Sequence, residues 1–177
     1  EILYVSVFLP YKYNYNVALA VSELITEGYD IRLNLIGRKD KVQSKKIDDL
    51  LNSKNIIREK INVSGSLSYS EVVSFYKSAN LFLFASVCEN LPFIILEAMS
   101  FGLPIISSNN RPMSEIIFGE DIYFDSKNIK SIKSIILKNM NKGRLERLSM
   151  GNFSLSKNYQ WKHSVSSSLD FFNKNLT

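Results

Sequence analysis

A chain of 177 residues with 45% apolar and 22% charged side chains is long enough for one full hydrophobic core and too short for two comfortable ones. No uninterrupted apolar stretch approaches the roughly 18 to 20 residues of a membrane span, and a lone cysteine, Cys88, excludes an internal disulfide. The net charge of +5 is unevenly spread: residues 127 to 177 hold ten Lys/Arg against two acids, Glu146 and Asp170, which is +8 there and −3 elsewhere. Such asymmetry marks either a solvated face of terminal helices or a surface for a polyanion.

Strand-length apolar runs alternate with helical patterns along the chain. "ILYVSVFL" precedes "NVALAVSELITEG", where Val17, Ala20, Val21, Leu24 and Ile25 share one helical face and Gly28 suits the helix end. "IRLNLIG" and a polar helix near residues 42–53 follow, then "INVSG" and "SEVVSFYKSA", whose Ser68 and Glu71 are spaced as a capping box. "LFLFAS" leads to "SVCENLPFIILEAMSFGLP", then "PIISS", "PMSEIIFG", a short "IYF" and helices to the end. Strands apolar throughout imply a parallel sheet covered on both faces, so the expected class is α/β, doubly wound. The first residue stands directly before a strand, and the start lacks the pattern of a secretory signal. The chain therefore reads as a cytoplasmic single domain, 1–177, cut from a longer protein.

The seven glycines, at 28, 37, 65, 102, 119, 143 and 151, allow neither G-x-G-x-x-G nor G-x-x-x-x-G-K-[ST]. A dinucleotide-dependent dehydrogenase and a P-loop nucleotidase are thus disfavoured. No Cys/His cluster suits zinc, and the single His163, beside Trp161, reads as structural. No nucleic-acid signature accompanies the basic charge, so nucleic acid is not an expected partner.

Two carboxylates flank an apolar run. Pro92 suits the first turn of a helix, which places the start near Asn90 or Leu91, with Glu89 just ahead and Glu97 on the second turn. Phe93, Ile94, Ile95, Leu96, Ala98 and Met99 cover most of that helix, so it packs on the sheet and Glu97 needs donors. A helix opening at a strand's carboxyl end offers free N–H groups and the positive end of its dipole to a phosphate or diphosphate. Glu89 and Glu97 could then accept hydrogen bonds from hydroxyls on either side of it, as in a nucleotide sugar. The competing reading makes Glu89 a helix-start charge and pairs Glu97 with a core Lys or Arg.

The segments "ILYVSVFLPYKYN", "LNLIGRKD", "VSGSLSYSEVVSFYKSANLFLFAS", "ENLPFIILEAMSFGLPIISSNNRPMSEII" and "YQWKHSVSSSLDFF" resemble, in order, the donor-binding C-terminal domain of group 1 (family 4) retaining glycosyltransferases of GT-B fold. The resemblance covers roughly residues 2 to 175, and its specificity lies in the combination of motifs. It implies a Rossmann-like sheet, the C-terminal half of a GT-B fold, and retaining transfer of a glycosyl group from a UDP-sugar or GDP-sugar to an acceptor hydroxyl. By the same resemblance Glu89, the first carboxylate of the E-x7-E pattern, contacts the donor sugar or its phosphate, and Glu97 the ribose. Leu91, Pro92, Phe93 and Ile94 form the diphosphate turn, Lys12 neutralises the diphosphate, and the loop from Gly65 to Leu67 borders the base.

Two departures matter. "ENLP" stands where the family often has E-G-F-G, so Asn90 adds a possible side-chain contact. Ser6 and Val7 stand where the family commonly has an arginine, which leaves Lys12 alone or shares its role with Arg38. The resemblance also implies that no metal or other cofactor is needed, that a glycan or lipid-linked acceptor meets an N-terminal domain outside this chain, and that the fragment alone is inactive. Synthesis of a bacterial surface polysaccharide or glycolipid, with peripheral contact to an anionic inner membrane face, is the expected setting. A non-catalytic nucleotide-sugar-binding or membrane-docking module of the same fold is the alternative, and an epimerase of GT-B fold a third.

Overall fold

A computed structural model describes residues 1–53 and 55–175 and shows six parallel strands in one sheet. In chain order they are β1 (Ile2–Val5), β2 (Leu33–Ile36), β3 (Ile61–Ser64), β4 (Leu81–Phe84), β5 (Ile105–Ser108) and β6 (Tyr123–Phe124). Their order across the sheet is β3-β2-β1-β4-β5-β6, the doubly wound arrangement expected from the alternating pattern. Strands β2, β4 and β5 are buried at every position, which accounts for their largely apolar sequences; β5 ends in Ser107 and Ser108, whose buried hydroxyls donate to the carbonyls of Phe84 and Ser86. The exception within β2, Asn34, is buried but bonded: its amide donates to Glu1 Oε1 at 2.6 Å and its carbonyl oxygen accepts from Asn62 at 3.1 Å.

Helix α1 (Asn14–Thr26) carries the predicted stripe: Val17, Ala20, Val21, Leu24 and Ile25 are all buried. The polar helix is α2 (Lys41–Leu51), started by Asp40, whose carboxylate accepts the N–H groups of Val42 and Gln43. A short α3 (Asn55–Lys60) follows, which the sequence pattern did not single out because Ile57 alone in it is buried. Helix α4 (Tyr69–Ser78) opens with the expected reciprocal capping box of Ser68 and Glu71. Beyond it come α5 (Phe93–Ser100), α6 (Met113–Ile116), α7 (Ile129–Lys138), α8 (Lys142–Ser156) and α9 (Trp161–Asn175).

Right-handed crossovers fix which face each helix covers. The chain moves outward from β1 to β3, returns across the sheet to β4, and continues outward to β6. Helix α1 accordingly packs with α2 and α3, and also with α7, while α5 packs with α8 on the opposite face. The reversal lies between β1 and β4. Open α/β sheets bind ligands at the carboxyl ends of the strands flanking such a point, because the loops there diverge and leave a crevice.

Close approach of backbones shapes one side of this crevice. Gly37, after β2, has φ +145°, and a Cβ on it would collide with the carbonyl of Ser6 after β1. Only glycine lets the two loops meet there.

Candidate donor site

The loop after β1 turns through a short 3-10 segment, Pro10–Lys12, and enters α1 at Tyr13, whose φ of 51° is left-handed. Tyr4, fully buried in β1, donates its hydroxyl to the Lys12 carbonyl at 2.6 Å and so fixes the lysine's backbone from below. Burial raises the Tyr4 phenol far above its usual range, so it remains a donor. The Val87 N–H donates to the Tyr11 carbonyl at 3.1 Å, tying the loop after β4 to the loop after β1.

On this brace Lys12 Nζ forms an ion pair with Glu89 Oε1, the two side chains being only 11% and 15% exposed. The ammonium also lies 5.2 Å from the Tyr11 ring centroid and 5.7 Å from that of Phe84. A cation and a carboxylate 77 residues apart in the chain are thus brought together across the switch point, where neither is well screened by solvent.

Helix α5 begins at Phe93, not at Asn90 or Leu91 as expected, and Pro92 occupies the N-cap rather than the first turn. The reason is local: Pro92 is buried with an extended ψ of 93°, and its carbonyl receives the Ile95 N–H at 2.9 Å, so the residues before it serve as connection. The amides of Phe93 and Ile94 have no acceptor among the described residues and are the free donors at this end. Asn90 is exposed, Leu91 and Phe93 are largely exposed, and Ile94 is half-buried.

Glu97, half-buried on the second turn, accepts a hydrogen bond from the Tyr76 hydroxyl at 3.1 Å. The alternative of a core Lys or Arg partner is therefore replaced by a neutral donor. Glu97 lines a groove of about 390 Å³ between α5 and the start of α9, together with Leu91, Phe93, Ser100 and Trp161. The Trp161 ring stacks on Phe93 with centroids 6.5 Å apart. Lys12 and Glu89 are in contact, whereas Glu97 finds its partner in α4, behind α5.

Arg38 is exposed after β2, and its carbonyl accepts the Phe8 N–H at 2.9 Å. It borders a cleft with Val7, Phe8 and Leu9, beside the position where the resemblance expects an arginine. Ser6 itself is buried and receives the Asn14 amide at 2.9 Å. Leu67 is half-buried against the core ahead of α4. A larger depression, about 680 Å³, lies along α2, α3 and β3 and includes none of these residues.

His163 is exposed on α9, a helix with no buried residue. Part of the basic C-terminal charge is already engaged. Lys133 bridges Glu23 and Glu27, Lys138 meets Asp121 at 2.9 Å, and Arg144 binds the carbonyls of Glu120 and Asp121. Lys130, Arg147, Lys157 and Lys162 have no acidic partner among the described residues.

Sequence reasoning missed Tyr4, Tyr76 and Trp161. The two tyrosines occupy apolar positions of a strand and a helix, where an aromatic ring ordinarily signals core alone.

A doubly wound sheet with a cation, a carboxylate and a helix N-terminus at its switch point makes this an α/β domain with a polar crevice at the carboxyl ends of its strands. The chain matches the family model described as "Glycosyl transferases group 1" over residues 1–154, and it belongs to that family. It is 25% identical over 128 residues to the serotype-specific mannosyltransferase WbdA of Escherichia coli, covering 72% of this chain and 16% of that protein. It is 28% identical over 116 residues to an uncharacterized glycosyltransferase of Haemophilus influenzae, covering 63% of this chain and 30% of that one. The chain thus spans under a third of these relatives' length. A glycosyltransferase from Rickettsia africae superposes with a TM-score of 0.85 over 99% of this chain and 48% of that one, at 16% identity, which establishes the shared fold.

Proposed function

We propose that the chain is the donor-binding half of a hexosyltransferase that uses a nucleoside diphosphate sugar and retains the anomeric configuration. The observation that carries this reading is the convergence of Lys12 and Glu89 across the switch point, beside the free amides of Phe93 and Ile94. The diphosphate lies between Lys12 and the start of α5, where the lysine and the helix dipole stabilise the negative charge that grows as the leaving group departs. Glu89 then turns from Lys12 toward the sugar. Glu97 accepts ribose hydroxyls, Asn90 and Leu91 border the sugar, and Leu67 borders the base.

Arg38 supplements Lys12, given its place beside Val7. With two cations and a helix N-terminus available, the leaving group needs no divalent metal. The acceptor, a glycan or lipid-linked saccharide of a bacterial surface polymer, binds a second domain, in keeping with the greater length of the relatives. Lys157 and Arg147, beside the exposed Met150 and Phe153 of α8, provide a peripheral contact with an anionic cytoplasmic leaflet.

The test is a thermal-shift screen of UDP and GDP sugars with EDTA present. A donor at 100 times its Kd should stabilise the protein by roughly 2.7 kcal/mol, and Glu97→Ala should abolish the shift. A shift that required a divalent cation, or that was unchanged in Glu97→Ala, would overturn the assignment.

A further inference from the structure

We infer that Tyr76 is a positioning residue for Glu97, holding one carboxylate oxygen so that the other faces the ribose. The inference rests on the proposed donor-site reading, in which Glu97 accepts the ribose hydroxyls, and it adds a residue from a different helix to that contact.

Tyr76 sits near the end of α4 and is 1% exposed, yet its hydroxyl reaches Glu97 Oε2 on α5 at 3.1 Å. Its ring is clamped. Phe101, just past α5, stacks on it with centroids 5.2 Å apart and planes 11° from parallel, and Phe82 of β4 packs against it at 6.0 Å with its plane tilted by 40°. Glu97 and Phe101 are four apart and share one side of the helical end, so the same surface that grips the ring also meets its hydroxyl. A phenol held on two rings has little freedom in where it aims its proton.

That proton goes to Oε2, and no described residue donates to Oε1. A glutamate on a helix surface normally samples several rotamers, and its ordering must be supplied from the binding free energy of any ligand that needs one of them. The Tyr76 hydrogen bond restricts Glu97 before the ligand arrives. Burial, and after it the neighbouring Glu97 charge, push the Tyr76 phenol far above the usual range, so it stays a donor throughout the working pH range. A lysine in its place would neutralise the carboxylate and weaken its acceptance of ribose hydroxyls; a phenol orients the carboxylate and leaves its charge in place.

The experiment uses Tyr76→Phe, which keeps the clamped ring and removes only the donor. Affinities of UDP and GDP are measured by calorimetry beside those of their 2′,3′-dideoxy analogues, for wild type, Tyr76→Phe, Glu97→Ala and the double variant. Wild type should prefer whichever ribonucleotide it binds over its dideoxy analogue. Tyr76→Phe should weaken the ribonucleotide by about three- to tenfold, the range of one hydrogen bond's net worth, and leave the dideoxy analogue unchanged. Adding Tyr76→Phe to Glu97→Ala should cost nothing more.

A wild type that prefers the ribonucleotide, with a Tyr76→Phe variant that keeps the full preference or loses both ligands equally, would overturn the positioning role and leave the donor-site reading intact. A wild type indifferent to the hydroxyls, or one that binds neither nucleotide, would remove Glu97 from the ribose and the inference with it. Thermal unfolding of each variant separates these outcomes from a general loss of structure.

Discussion

Replacing Lys12 by alanine tests the electrostatics of the switch point, because in the proposed reading the lysine serves two anions in turn. Its side chain is 11% exposed and already paired with Glu89. A unit charge about 4 Å from an ammonium, at an effective dielectric near 20, gains roughly 4 kcal/mol before competition. Glu89 already holds the same ammonium, so part of that gain is spent on parting the existing pair, leaving about 2 to 3 kcal/mol for the diphosphate. Lys12→Ala should accordingly weaken UDP or GDP binding, and in the full-length enzyme lower kcat, by about 10². In titrations with UDP or GDP, where no sugar draws Glu89 away, the variant also leaves it as an uncompensated carboxylate beside the diphosphate. Adding Glu89→Gln removes that repulsion, so the double variant should bind nucleotide about tenfold more tightly than Lys12→Ala alone, although its turnover stays low. Calorimetric titration of the four proteins, in EDTA and at two salt concentrations, measures the coupling. If Lys12→Ala stayed within threefold of wild type, Arg38 or a second domain would be the counter-charge; if the double variant bound no better than the single one, Glu89 would not face the diphosphate.

Two further outcomes follow from the buried phenols and the basic segment. Burial raises both the Tyr4 and Tyr76 phenols above the ordinary 10.0, so the folded state keeps protons that the unfolded chain releases. Their contribution to stability is fully present below pH 10 and is lost as pH rises above it; urea midpoints should fall steeply there, and less steeply in Tyr4→Phe, whereas parallel curves would count against burial of that hydroxyl. On phosphatidylglycerol vesicles the protein should co-sediment at low salt and detach toward physiological salt, at about 1 kcal/mol per engaged Lys or Arg, and Arg147→Glu with Lys157→Glu should abolish it. Equal indifference to anionic and neutral vesicles would leave these residues as a solvated face.

The topology was legible because each signal is local. The stripe of α1, the capping box of α4 and the apolar runs of the buried strands each depend on residues within a few positions of one another, and each forms as expected. Helix α3 escaped notice for the converse reason, since six residues with one buried side chain make no period. The start of α5 was displaced because proline is compatible with both the N-cap and the first turn, and only the burial of Pro92 decides between them. The partners of the two glutamates lay furthest beyond reach. Glu89 meets a lysine 77 residues earlier and Glu97 a tyrosine 21 residues earlier, and neither partner is marked by spacing, since any of the 22 Lys and Arg could have filled either place. What the sequence does mark is the demand: a carboxylate within an apolar run must be met by a donor. The fold answers that demand differently at the two positions, with the ammonium of Lys12 for Glu89 and the neutral hydroxyl of Tyr76 for Glu97. In the proposed reading, that difference puts the diphosphate on the side of Lys12, where charge is balanced, and the ribose on the side of Tyr76, where the carboxylate is left free to accept hydroxyls.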